Sequence, residues 1–317
     1  MEGSEPHAAP AAPAPAPAPE AAKLQPYKRP QLTLQNQIIV GTLAGWSEIV
    51  VCQPIDTYKT GLQSVQRVKF AEFFDKGVRH WYAGMTPMLV FRAVYISALK
   101  VSNESYKNFV AARGHDPSSQ LQLMAGGVFS GVIATPVSCV SEWFKTQMQN
   151  NGLRLSTLIH ANRTSFKAFA GMSATTLREG CYGATLFGLN PIFYRRLQDT
   201  FPDLNSHVAH VMSGMAAGIT GGVISQPFDT IKTLMQEKYG QSVKSSFLQV
   251  TRERIQAHGV ASLWAGIIAR GSRLAVGTLI LDRCLTYYSE HFLAVQARDE
   301  QAKAAERSAL RAVTTTL

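Results

Sequence analysis

The strongest constraint on this chain is one residue pattern that occurs three times. Each copy has two glycines four residues apart and then an acidic residue, which is followed by lysine, threonine and glutamine at fixed offsets. The copies are Gly41, Gly45, Asp56, Lys59, Thr60 and Gln63; Gly127, Gly131, Glu142, Lys145, Thr146 and Gln149; and Gly214, Gly218, Asp229, Lys232, Thr233 and Gln236. Agreement at so many offsets predicts three similar structural units.

A second repeated block follows each first block and reads aromatic-Ala-Gly. The three blocks end at Gly84, Gly171 and Gly266, and each leads into an apolar stretch. We therefore expect three units, each with an odd-numbered helix, a short amphipathic segment and an even-numbered helix. The three units are 31–112, 113–202 and 203–296. A tail, 1–30, precedes them and a charged C-terminal tail, 297–317, follows them. The first tail holds eight of the 15 prolines and is predicted to be disordered.

Two charge-free stretches indicate a membrane protein. Charged residues make up 16% of the chain, against about 25% in soluble proteins. Residues 117–141 and 204–228 carry no charge if histidine is neutral, and each is longer than the roughly 20 residues that span a bilayer as helix. Other apolar stretches are interrupted by charges, which are costly in a membrane unless they face a wet interior. The prediction is an all-α protein with six transmembrane helices around an aqueous cavity.

The net charge of +10 leaves nucleic acid, anionic lipid or an anionic solute open as partners. Most basic residues stand singly between apolar stretches, which disfavours nucleic acid and leaves a basic helical nucleic-acid-binding protein as a remote alternative. The chain lacks the common nucleotide, hydrolase and zinc-protease motifs, and its eight histidines show no ligand spacing. Its four cysteines lie far apart, with no C-x-x-C. We therefore expect no enzyme activity, no cofactor and no metal.

The repeated residues resemble the mitochondrial carrier family. The family signature is Pro-x-[Asp/Glu]-x-x-[Lys/Arg], found three times and followed by aromatic-x-Gly before each even helix. The resemblance covers about 31–296, with one departure: Val140 stands where the proline belongs, and Pro136 lies four residues upstream. It implies a six-helix bundle with three-fold pseudosymmetry that moves small solutes across the mitochondrial inner membrane by alternating access. A monomer, with a solute and membrane lipid as partners, is the expected form.

The acidic and basic residues of the signature are expected to form a gate. An acid and a lysine three residues apart lie on nearly the same face of a helix. The resemblance implies that each acid pairs with the lysine of a neighbouring repeat and closes the matrix end. The pairs are Asp56–Lys145, Glu142–Lys232 and Asp229–Lys59, and the glutamines expected to brace them are Gln63, Gln149 and Gln236. The alternative is a solvated surface pair on each helix.

The glycines of the repeats have two expected roles. The glycine pairs of the odd helices allow close approach of helix backbones or provide points of flexibility. The even-helix glycines Gly84, Gly171 and Gly266 resemble the family's cardiolipin sites, where backbone N–H groups at a helix start suit a lipid phosphate. The family usually has a basic residue before the glycine, whereas this chain has alanine in all three places. A tight turn between helices is the alternative.

Residues that bind an asymmetric solute should differ between the repeats. The positions seven residues after the even-helix glycines hold Phe91, Arg178 and Arg273, and the next positions hold Arg92, Glu179 and Leu274. In the family these positions face the cavity near mid-membrane. The pair Arg178-Glu179 resembles carriers of amino acids or S-adenosylmethionine, because arginine can hold a carboxylate and glutamate an ammonium or sulfonium. Di- or tricarboxylates are the alternative, since basic cavity residues outnumber acidic ones.

Four further charged residues lack counterparts in the other repeats: Glu48, Arg92, Lys100 and Asp282. A charge inside the membrane is a functional candidate, so we also assign these four to the solute site. The alternative is that the two basic residues point to lipid headgroups or balance the two acids internally. Phe91 could stack on a cation or a ring, or simply pack.

Overall fold

A computed structural model describes residues 32–65, 69–162, 167–240 and 246–316. The described residues form helices and contain no β-strand. The helices are α1 (Leu34–Gln63), α2 (Phe70–Asp75), α3 (Gly77–Trp81), α4 (Met85–Ala112), α5 (Gln120–Asn150), α6 (Leu155–Asn162), α7 (Met172–Thr200), α8 (Ser206–Gly240), α9 (Phe247–His258) and α10 (Ile267–Thr316). The expected all-α fold class is confirmed.

The six long helices form a closed ring. Contacts run from α1 to α4, from α4 to α5, and on through α7, α8 and α10 back to α1. Five of these helices are long and apolar enough to cross a membrane among the described residues, and α7 is not one of the five. Charged residues within α7, such as Arg178 and Glu179, lower its hydropathy. Those side chains face the interior of the bundle, so the helix can carry them.

Each even helix begins at a glycine whose backbone only glycine adopts readily. The φ angles of Gly84, Gly171 and Gly266 are 76°, 76° and 77°. These glycines also touch the signature lysine of the next repeat. A Cβ would lie 2.9 Å from Cα of Lys145, 3.3 Å from the carbonyl oxygen of Lys232 and 3.3 Å from the carbonyl oxygen of Lys59, respectively. The turn therefore fixes each repeat against its neighbour.

A second contact within each repeat ties the odd helix to the same turn. The amide Nε2 of Gln53 donates to the carbonyl oxygen of Ala83 at 2.9 Å, and that of Gln226 donates to the carbonyl oxygen of Ala265 at 2.7 Å. In the second repeat Cys139 takes this position, with its thiol 3.5 Å from the carbonyl oxygen of Ala170. The odd helices α1, α5 and α8 are thus held at equivalent heights, and their signature residues lie in one layer.

The helix ends can be placed beside the expected unit boundaries. Helix α4 ends at Ala112 and α7 at Thr200, beside the predicted ends at 112 and 202. Helix α10 differs, because its backbone continues past residue 296 to Thr316. Helix α5 continues through Pro136. The tail 1–30 lies outside the described residues.

Candidate solute-binding site

The ring of helices encloses a polar cavity of about 170 Å³. Side chains from all six long helices line it, most of them on the signature turns of the odd helices and the first three turns of the even ones. Its charged lining consists of Asp56, Lys59, Arg92, Glu142, Lys145, Arg178, Glu179, Lys232, Arg270 and Arg273. A water-accessible space with this lining can hold a charged solute.

The signature acids and lysines meet at one end of this cavity. Each pair joins one repeat to the next, which closes a ring of three ion pairs. The distances are 2.8 Å between Lys145 Nζ and Asp56 Oδ2, 3.0 Å between Lys232 Nζ and Glu142 Oε2, and 2.5 Å between Lys59 Nζ and Asp229 Oδ2. These are the pairs that the family resemblance implies, and their role as a gate stays a prediction.

Arginines from the even helices add further cations to the ring. Arg178 NH1 lies 2.8 Å from Glu142 Oε1 and 3.2 Å from Asp229 Oδ1, so one side chain contacts two ring acids. Arg270 NH1 is 3.7 Å from Asp229 Oδ2. Arg273 Nε is 3.5 Å from Asp56 Oδ1. Every ring acid therefore contacts both a lysine and an arginine, which satisfies the charge of a buried carboxylate more fully than a single pair would.

The three expected brace glutamines are buried, but their contacts differ. Gln63 Nε2 donates to Asp229 Oδ2 at 2.8 Å, a direct contact with a ring acid. Gln149 Nε2 instead donates to the Thr57 hydroxyl at 2.8 Å. Gln236 accepts from the Thr146 hydroxyl at 3.2 Å. All three side chains therefore cross between repeats, although two of them bridge threonines rather than ring acids.

Glu179 lies in the cavity wall with its carboxylate already engaged. Its Oε1 accepts from the Ser138 hydroxyl at 2.8 Å and from Arg178 NH2 at 2.5 Å. Its Oε2 accepts from the Tyr95 hydroxyl at 3.4 Å. The residue is 7% exposed. A solute cation that binds Glu179 must therefore displace or share these donors.

Three residues assigned to the solute site from the sequence do not line the cavity. Glu48 is buried behind the wall, where it ion-pairs with Arg92 and Arg273. Asp282 is buried with its Oδ2 3.2 Å from His207 Nε2. Lys100 lies on an exposed part of α4. Arg92 and Glu48 thus neutralise each other inside the bundle, which was the alternative expected for them from the sequence. Phe91, also assigned to the solute site, does line the cavity.

One basic residue of the cavity was missed by the sequence comparison. Arg270 lies four residues after Gly266, and its guanidinium is held by Gln226 Oε1 at 3.0 Å and by Ser225 Oγ at 2.8 Å. The equivalent positions in the other repeats hold Met88 and Thr175. The same comparison between repeats, made at this offset as well, would have found it.

Comparisons with known proteins agree with this architecture. A family model described as mitochondrial carrier protein matches residues 203–293, which is the third repeat. A probable mitochondrial 2-oxodicarboxylate carrier of Dictyostelium discoideum is 28% identical over 268 residues, covering 78% of this chain and 88% of the relative. A mitochondrial glycine transporter of Rattus norvegicus is 26% identical over 285 residues, covering 80% of this chain and 82% of the relative. Mitochondrial citrate transporter C of Aspergillus niger is 26% identical over 282 residues, covering 77% and 86%.

A closed ring of long apolar helices around a charged cavity defines a multi-pass membrane transporter of small solutes. The match of the third repeat to the mitochondrial carrier model and the similarity to these relatives over most of the chain make the protein similar to mitochondrial carriers. It is a multi-pass protein of the mitochondrial inner membrane.

Proposed function

We propose that the protein carries a small carboxylate dianion. The supporting observation is the charge of the cavity. Among the described residues, seven basic and three acidic side chains line it. Glu48 and Asp229 add two carboxylates that contact this lining from behind. Two positive charges remain, and a solute with two carboxylates neutralises them. A charge-matched solute is favoured because an unpaired charge in a partly dehydrated site is costly.

In this proposal Arg178, Arg270 and Arg273 bind the solute carboxylates. A guanidinium presents paired N–H donors that match a carboxylate. Phe91 and Arg92 also line the cavity, where they limit the size and orientation of the solute. The names of two relatives, a 2-oxodicarboxylate carrier and a citrate transporter, agree with an organic anion as the solute class.

A zwitterion such as an amino acid or S-adenosylmethionine is the second candidate. The observation that favours it is Glu179, an acid in the cavity wall next to Arg178. The rat relative is named a glycine transporter, which agrees with an amino-acid solute. In this case the solute's cationic group replaces one of the donors that Glu179 now accepts from.

The ring of ion pairs serves as the matrix gate in this proposal. Its members come from all three repeats, so the cavity opens at that end only when the pairs between repeats separate. Paired charges beside a wet cavity stabilise a closed state modestly and reversibly. A carboxylate solute that binds Arg178 competes with Glu142 and Asp229 for the same guanidinium, and solute binding therefore loosens the ring.

The three units 31–112, 113–202 and 203–296 act as structural repeats in this mechanism, and a monomer suffices because one chain supplies the whole cavity. We also propose cardiolipin as a lipid partner at the helix starts marked by Gly84, Gly171 and Gly266. The supporting feature is the free N–H groups of a helix's first turn. These glycines also pack closely against the neighbouring odd helices, so a lipid bound there would lie where two repeats meet.

Uptake by proteoliposomes tests the solute proposal. Purified protein is reconstituted with internal 2-oxoglutarate, and the uptake of radiolabelled 2-oxoglutarate, citrate, glycine and S-adenosylmethionine is measured. Protein-free liposomes serve as the control. We expect 2-oxoglutarate to enter fastest. Uptake of glycine or S-adenosylmethionine without uptake of 2-oxoglutarate or citrate contradicts the dianion proposal and favours the zwitterion.

A further inference from the structure

We propose that Glu48 is a positioning residue that holds two cavity arginines and sets how many negative charges a solute must carry. This inference rests on the proposed transport of an organic anion. Glu48 Oε2 lies 2.8 Å from Arg92 NH2, and Glu48 Oε1 lies 2.8 Å from Arg273 NH2. One carboxylate on α1 therefore links α4 to α10. Its side chain is 7% exposed and lies outside the cavity lining.

The packing around Glu48 leaves space for this arrangement at two glycines. A Cβ at Gly45 would clash with the guanidinium of Arg92, so glycine there lets the arginine cross α1 and reach Glu48. A Cβ at Gly277 would lie 3.0 Å from Glu48 Oε1. Helices α1 and α10 therefore each carry a glycine at the place where the three charged groups meet.

An acid at this position of the odd helix occurs in the first repeat alone. The residues equivalent to Glu48 in the other repeats are Ala134 and Gly221, neither of which carries a charge. The three-fold bundle thus forms in two of its repeats without an acid at this place. A feature that breaks the symmetry in the cavity wall fits the binding of an asymmetric solute better than the general packing of the bundle.

The two arginines contact Glu48 through one nitrogen each. Glu48 occupies the NH2 atoms of Arg92 and Arg273, and Arg273 Nε also lies 3.5 Å from Asp56 Oδ1. Both arginines line the cavity as well. A solute carboxylate in the cavity is the acceptor that suits such guanidinium groups best.

The charge of Glu48 determines the charge of the cavity. Glu48, Arg92 and Arg273 together carry one net positive charge. When Glu48 is neutralised, the two arginines leave a net charge of two. A cavity that suits a dianion would then suit a trianion. Because one added unit charge interacts with every charge of the solute, we expect a shift of about ten-fold in the preference between the two anions.

The test is a ratio of uptake rates in proteoliposomes at neutral pH, with citrate as the trianion and 2-oxoglutarate as the dianion. Glu48→Gln should raise the citrate to 2-oxoglutarate ratio about ten-fold. The double variant Glu48→Gln/Arg92→Gln restores the net charge and should return the ratio toward the wild-type value. Glu290→Gln, the same change at an exposed residue of α10, is the matched control and should leave the ratio unchanged.

An unchanged ratio in an active Glu48→Gln variant overturns the inference, and so does a raised ratio that the double variant fails to lower, because only a charge effect is reversed by removing the arginine. If Glu48→Gln does not incorporate into liposomes, Arg92→Gln decides: a lowered ratio supports the inference and an unchanged one overturns it. Wild-type protein that takes up neither anion overturns the proposed function together with the inference, so the two failures are distinguishable.

Discussion

At the scale of single residues, the glycines that start the even helices serve two purposes at once. Gly84 has a positive φ and also touches the backbone of Lys145. Gly114 has nearly the same φ, 77°, but nothing lies within 4 Å of its Cβ position. A substitution at Gly114 therefore introduces backbone strain alone, whereas the same substitution at Gly84 adds a steric clash with the next repeat.

We expect Gly84→Ala to lower the thermal unfolding midpoint clearly more than Gly114→Ala. The left-handed backbone costs an alanine about 1–2 kcal/mol at either site, and at Gly84 the methyl group also meets Cα of Lys145 at 2.9 Å. The measurement is unfolding of the purified variants in detergent. Equal midpoints for the two variants would show that the contact with the next repeat does not hold the fold together.

Ring pairs can be tested by exchanging their charges. Asp56→Lys should strongly impair transport, because it places a cation beside both Lys145 and Arg273. Adding Lys145→Asp should recover part of the loss, since the pair is restored in reverse. Recovery stays partial because Arg273 then faces the introduced ammonium group instead of the carboxylate of Asp56.

A matched control for that cycle is the exchange of Lys238 and Glu253, a pair outside the cavity. Neither single change there should alter transport by much, because partly exposed pairs contribute about 0–1 kcal/mol. If the Asp56/Lys145 double variant is no better than Asp56→Lys in proteoliposome uptake, the pair does not act as a gate.

Sequence comparison predicts the ring well and the rest of the cavity less well, for a physical reason. The repeats identify the acids and lysines of the ring, and the family resemblance implies which acid pairs with which lysine of a neighbouring repeat. Glu48 and Arg270 have no equivalents, so only the structure reveals their partners. Arg178 is intermediate: its difference from Phe91 points to the solute site, but its contact with two ring acids depends on how α7 packs against α5 and α8.

At the scale of elements, the same motif position has different surroundings in different repeats. The first glycines of the three pairs are Gly41, Gly127 and Gly214. Gly127 on α5 meets the backbone of Gly183 on α7, whereas nothing lies within 4 Å of a Cβ at Gly214. Close helix approach, expected from the sequence at all three pairs, thus holds for α5 against α7 and not at Gly214.

Alanine scanning of these glycines should reproduce the difference. Gly127→Ala should lower the unfolding midpoint and transport, because a Cβ there meets the carbonyl carbon of Gly183 at 2.6 Å and α7 must shift. Gly214→Ala should be neutral or stabilising by about 0.5–1 kcal/mol, since alanine favours a helix over glycine. Each variant is measured by unfolding in detergent and by uptake. A destabilised Gly214→Ala together with an unaffected Gly127→Ala would contradict the packing described for α5 and α7.

Local sequence predicts the most apolar helices, but it does not predict where every helix ends or why one helix is less apolar. The charge-free stretches become α5 and α8, as expected. Helix α7 is less apolar because its charges enter the ring, a contact that no local window contains. Helix α10 continues to Thr316 because no glycine or proline interrupts residues 290–316, and a change in composition alone does not end a helix.

At the scale of the whole molecule, Arg178 joins the proposed solute site to the ring of ion pairs. Its guanidinium lies 2.8 Å from Glu142, 3.2 Å from Asp229 and 2.5 Å from Glu179. These acids stand on α5, α8 and α7, so one side chain links three helices around the cavity. In the proposed mechanism, a solute carboxylate at Arg178 weakens contacts that hold two repeats together, which would couple binding to opening.

Arg178→Gln should therefore have two separate effects, one on the stability of the empty protein and one on its response to solute. The uncompensated acids lower the unfolding midpoint of the empty protein, as expected when one partner of a buried ionic cluster is removed. Added 2-oxoglutarate should raise the wild-type midpoint, because a ligand stabilises the state that binds it, and should raise that of Arg178→Gln much less. The matched control is Arg195→Gln, an exposed arginine of the same helix, which should behave as wild type in both measurements. A lowered midpoint with a full 2-oxoglutarate shift would give Arg178 a place in the gate alone, and the solute site would then lie with Arg270 and Arg273.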